Sequence, residues 1–208
     1  MAYYIEGISS DIKDRPSFTW VKKPIWDNSY LSSGMPVSLG SGPFRAFMRT
    51  NHKYPTDFIC LPPVRGVTEA FRAMVEELEP GVHQFFPVEV TRKNGEPLEK
   101  QYYLLNVCQA IDAVIIDRSD VEWTYTSLNI PGLTRIPVLQ LTRGSPHFTL
   151  SGPAIAGRHI WRGKSELSSL MFFSDALMQR VLEQRMRKLR FCRADEIDEP
   201  PTPLDQAP

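Results

Sequence analysis

Four histidines, three cysteines and a run of closely spaced acids have the widest chemical reach in this 208-residue chain. Asp112 and Asp117, with Arg118, Ser119 and Asp120, form its densest polar cluster. Paired carboxylates can hold a cation or divide acid and base roles between them. The Asp-Arg-Ser-Asp segment also suits a turn whose short polar side chains cap backbone amides, and the turn is the favoured reading. His83, heading Gln84-Phe85-Phe86, would complete a polar site if the fold joined it to Asp112 and Asp117. A structural histidine is the expected role at such a strand start. His52, His147 and His159 stand far apart, and none has a ligand partner at metal-binding spacing. The chain contains no GxGxxG, P-loop, GxSxG, HExxH or CxxC motif. These residues predict no catalytic, cofactor or metal site.

Partner recognition is the remaining chemistry. Trp20, Trp26, Trp123 and Trp161 could be interface anchors, because tryptophan and arginine dominate interface hot spots, and Trp20, Trp26 and Trp123, with Arg45, are the candidate partner-binding residues. Twenty-four basic and twenty-four acidic residues give no net charge, which removes the general electrostatic attraction that nucleic acid requires. The apolar stretches are too short and broken to span a membrane, and Glu6 and Asp11 interrupt any signal peptide. Cys60, Cys108 and Cys192 are odd in number and widely spaced, as free thiols in a reducing cytoplasm would be.

The elements that must position these residues are short, since 18 prolines punctuate the chain. Two helices stand out. Thr68 caps the first, running Thr68–Glu79, with Phe71, Met74, Val75 and Leu78 as an apolar stripe. Ser174 caps the second, running Ser174–Lys188, with Leu177, Met178, Val181 and Leu182 inward. Ala2–Glu6, Asp57–Leu61 and Gln84–Val90 read as strands, and Asn94-Gly95 signals a hairpin back into Gln101–Val107. Further short strands follow at Ile111–Ile116, Val121–Thr126, Ile136–Leu141, His147–Leu150, Arg158–Arg162 and Arg190–Arg193. Residues 11–49 are Pro-rich and irregular, with short strands at most.

The two helical stretches echo each other at an offset of 106 residues, with Thr68 over Ser174, Val75 over Val181 and Phe85 over Phe191. Two copies fall short of a solenoid but allow a helix–strand pseudo-repeat. The expected fold is α+β: short, mostly antiparallel strands with two principal amphipathic helices, in one domain over 1–194. Its core takes in Phe71, Met74, Val75, Leu78, Phe85, Leu105, Val181 and Phe191. Residues 195–208 hold five acids and four prolines and are expected to form a disordered tail.

Several segments together carry a resemblance. They are Leu78-Glu79-Pro80-Gly81-Val82-His83-Gln84-Phe85-Phe86-Pro87-Val88, Tyr102-Tyr103-Leu104-Leu105-Asn106-Val107 and Ile111-Asp112-Ala113-Val114-Ile115-Ile116-Asp117. Ile160-Trp161-Arg162 and Phe172-Phe173-Ser174-Asp175 complete the set. In this order and spacing, over roughly residues 55–195, the chain resembles family eleven of the bacterial polymorphic-toxin immunity proteins, formerly a domain of unknown function. That resemblance implies a cytoplasmic α+β protein that binds and neutralises a cognate secreted toxin stoichiometrically, without enzymatic activity or cofactor. The family often closes its second helix with a Gly-containing turn, where this chain has Gln184-Arg185-Met186-Arg187. The competing reading is a small-ligand protein or enzyme using Asp112, Asp117 and His83.

Overall fold

The computed structural model describes residues 1–8, 16–22, 33–39, 43–50, 55–61, 64–126, 136–141, 145–164, 167, 169–186 and 189–201. Sheet I has the spatial order β11 (Thr149–Ser151), β14 (Leu189–Ile197), β1 (Ala2–Ile8), β13 (Met171–Ser174), β12 (Ile160–Gly163), β8 (Ala110–Ile111). Sheet II has the order β2 (Phe18–Trp20), β3 (Phe44–Met48), β6 (Gln84–Thr91), β7 (Tyr102–Asn106), β5 (Val64–Thr68), β4 (Phe58–Leu61). A separate hairpin pairs β9 (Val121–Thr126) with β10 (Ile136–Leu141). The helices are α1 (Glu69–Leu78), α2 (Gly152–Ile155) and α3 (Asp175–Glu183).

This corrects the α+β expectation: among the described residues the protein is mostly β, with two curled six-stranded sheets and three short helices. The two apolar stripes do form α1 and α3, but these span only ten and nine residues. What the stripes conceal is the number of strands beside them. β2, β3, β5 and β13 are three to five residues long, too short for a period-two pattern to register locally. Pairing with distant strands makes them.

The two sheets share a strand pattern. In sheet II the antiparallel hairpin β4–β5 enters α1, and β6 returns one place away from β5, with β7 between them. In sheet I the hairpin β12–β13 enters α3, and β14 returns one place away from β13, with β1 between them. β3 lies parallel to β6 as β11 lies parallel to β14. The echo at offset 106 therefore falls on matching places in two β-sheets. The middle strand of sheet I is β1, which precedes every other strand in sequence.

Three apolar clusters follow from this layering. One fills the curl of sheet II around Met48, Ile59, Leu61, Tyr102 and Leu104. A second lies between the sheets and the two long helices, where Phe71 meets Phe58 edge-on at 4.5 Å and Phe173 at 5.7 Å. The third covers the far face of sheet I, with Trp161 stacked on Phe172 at 5.7 Å. Sheet I is thus buried on both faces, as β1 illustrates: Tyr4 enters the third cluster and Ile5 the second. Of the eight expected core residues, Phe71, Met74, Val75, Leu105 and Val181 are buried, while Leu78, Phe85 and Phe191 are partly buried against the same cluster.

One cap and two boundaries differ from expectation. Thr68 sits at the N-cap of α1, but its hydroxyl is not used for capping and donates instead to Asp57 Oδ1 at 3.2 Å. Ser174 does cap α3, accepting from the Leu177 amide at 3.2 Å. α3 stops at Glu183, well before Lys188, which lies outside the described residues. The Met186 amide bonds Val181 O and the Arg185 amide bonds Leu182 O, a Schellman closure that needs a left-handed residue. Glycine normally fills that place; here Arg185 does, at φ 50°, at a strain cost of about 1–2 kcal/mol. At the other end of sheet I, β14 runs through Ile197, so Asp195, Glu196 and Ile197 pair with Thr149, Leu150 and Ser151. The expected tail boundary falls inside a strand.

Candidate functional site

Glu79, just beyond α1 and only 5% exposed, accepts four hydrogen bonds. One carboxylate oxygen accepts from His83 Nε2 at 2.9 Å and the Ile160 amide at 3.1 Å. The other accepts from Gln109 Nε2 at 3.0 Å and the His159 amide at 3.1 Å. Burial alone would raise its pKa, but the bonds from His83, the His159 backbone and Gln109 outweigh it and hold the carboxyl below its usual value. His83 Nδ1 accepts the Cys108 amide at 3.2 Å, so the ring carries its hydrogen on Nε2. Both ring nitrogens are occupied. Glu79 therefore joins the end of α1 and the head of β6, on the sheet II side, to the start of β12 in sheet I. A carboxylate with four donors around it has no lone pair left for a substrate proton.

Asn106 and Gln84 extend the polar seam. Asn106 Nδ2 donates to Gln84 Oε1 and Met35 O, both at 2.9 Å, and Gln84 exchanges two bonds with the Val37 backbone. Two further groups in this seam are shifted: burial raises the Cys108 thiol, and burial together with nearby Arg65 pushes Arg162 down to about 10. These bonds fasten residues 35–37 to sheet II and serve architecture.

The sequence-predicted residues do not converge. Trp20 is half-buried on β2 against the sheet II cluster. Arg45 is exposed on β3, with Nε 2.7 Å from Glu89 Oε2. Trp26 lies outside the described residues, and Trp123 is placed on β9 by its backbone alone. Asp117 is exposed on a 3-10 turn, Ile116–Arg118, that Ser119 closes by donating to Ile115 O at 2.7 Å. His83 is directed at Glu79 and Cys108, leaving neither ring nitrogen for Asp112 or Asp117. Among the described residues no group of three His, Cys, Asp or Glu side chains could hold a metal. No described helix is long and apolar enough to cross a membrane.

A different feature opens to solvent. A groove of about 350 Å³ runs between the head of α1 and the turn closing α3, lined by Asp57, Glu69, Lys100, Gln101, Gln184 and Arg185 among others. Its two acids are engaged. Asp57 takes Lys100 Nζ at 2.6 Å as well as the Thr68 hydroxyl. Glu69 takes Arg72 at 3.3 Å and the Tyr103 hydroxyl, which it holds above the usual tyrosine range. The Arg185 guanidinium has no acceptor among the described residues. Sequence reasoning missed this groove because its walls come from residues far apart in the chain. The one local signal was the absence of glycine at the end of α3.

The model of an immunity protein family (Imm11) matches residues 13–196. No curated protein matches the chain.

Proposed function

The chain belongs to the Imm11 immunity protein family, and from that premise we propose that it protects against a toxin by binding it. The partner is a cognate secreted bacterial toxin, and neutralisation is stoichiometric, by complex formation in the cytoplasm. The family match over residues 13–196 is the observation that carries this reading. The geometry of the polar seam supports a binding role over a catalytic one. Its carboxylate and imidazole are spent on joining two sheets, as Glu79 and His83 show.

A stable specific complex buries at least about 1,200 Å² in total. The test is co-expression of the toxin encoded beside this gene, directed to the cytoplasm or to the periplasm, with and without this protein. Protection against the cytoplasmic form together with a 1:1 complex is the expected result. Protection restricted to the periplasmic form overturns the compartment assignment, and the absence of any complex overturns the immunity reading.

A further inference from the structure

We propose that the groove between α1 and the closing turn of α3 receives an acidic segment of the toxin, with Arg185 pairing a toxin carboxylate. This rests on the immunity reading above and adds a location and a partner chemistry to it.

Charge accounting in the groove carries the proposal. Asp57 is already paired with Lys100, and Glu69 with Arg72 and Tyr103. The unmatched charge is the guanidinium of Arg185, which is exposed and has no acceptor among the described residues. A neutral protein with one open cationic position in a concave site complements an anionic group, and a planar guanidinium takes a carboxylate in a two-bond fork. The backbone points the same way. Arg185 occupies a left-handed position at φ 50° that glycine would fill without strain, so the fold holds a costly residue in the groove lining. Met186, packed on the inter-sheet cluster, and the bonds to Val181 and Leu182 fix the turn that presents it. Arg180, the basic residue within α3, is already 2.6 Å from Glu77.

Arg185→Gly separates binding from folding, because it removes the side chain while suiting the backbone. Expected is a higher melting temperature together with a Kd for the active-site-inactivated toxin encoded beside this gene weakened by about tenfold or more. Arg185→Glu is expected to weaken binding further, by about a hundredfold. Arg158→Glu is the charge-matched control, exposed beside the opposite end of α3, next to the His159–Ser174 contact; it should bind as the unmodified protein does. Binding of Arg185→Gly and Arg185→Glu within about twofold of the unmodified protein overturns the groove while leaving immunity intact. Equal weakening by Arg158→Glu and Arg185→Glu overturns the specific pairing. Failure of the unmodified protein to bind the toxin removes the immunity reading, and the groove proposal falls with it.

Discussion

Replacing Glu79 with Gln tests whether one carboxylate joins the two sheets. The four donors around it sit at 2.9–3.1 Å, two on each oxygen. The amide oxygen of Gln can still serve one pair, either His83 with Ile160 or Gln109 with His159. Its NH₂ then faces the other pair, donor against donor. Two charge-assisted bonds are lost, at about 1.5–3 kcal/mol each, so the expected loss is about 3–6 kcal/mol. For a protein of this size that lowers Tm by about 6–24 °C. Glu77→Gln is the companion variant, since Glu77 bridges α1 and α3 through Arg180 at the exposed surface and a surface pair of this kind contributes little. The pH dependence carries a sign. Because the folded carboxyl of Glu79 lies below its usual value of 4.5, its contribution is complete above that value and lost as pH falls through the folded one. Thermal unfolding followed by circular dichroism from about pH 3 to pH 7 should show the gap between wild type and Glu79→Gln closing only below about pH 4.5. A Tm within about 2 °C of wild type at pH 7 would refute the junction.

Phe71→Ala should cost about 3–5 kcal/mol in chemical denaturation, because the ring is fully buried between Phe58 and Phe173 and its loss leaves a cavity shared by both sheets. Gly163→Ala places a Cβ 2.5 Å from the carbonyl oxygen of Leu167, so a loss of Tm is expected, and an unchanged melt contradicts the close approach. Ending the chain before Asp195 removes the β14–β11 pairing and the 3.0 Å contact of the Met1 ammonium with Glu196, and should lower Tm. Ending it after residue 201 leaves every described contact in place and should not.

The amino-acid sequence determined what is local. The stripes Phe71, Met74, Val75, Leu78 and Leu177, Met178, Val181, with the Ser174 cap on the second, specify two helices because helical periodicity and capping act within a few residues. Asn94-Gly95 likewise specifies the β6–β7 hairpin, with Gly95 at φ 90°. Tertiary structure decided the rest. Phe44–Met48 carries no decisive pattern of its own and becomes a strand by lying between β2 and β6. β1 takes the middle of sheet I through pairing with β13 and β14, some 170–190 residues away. That long-range pairing, invisible to local patterning, turns an expected α+β protein into a mostly β one. Glu79 reads in sequence as an ordinary acid at a helix end, yet its donors at 83, 109, 159 and 160 converge only when two sheets meet. The same holds for Arg185, whose significance comes from a groove wall supplied by residues more than eighty positions earlier. A buried carboxylate and an open guanidinium differ in the company the fold brings them, and residue type alone carries no record of that.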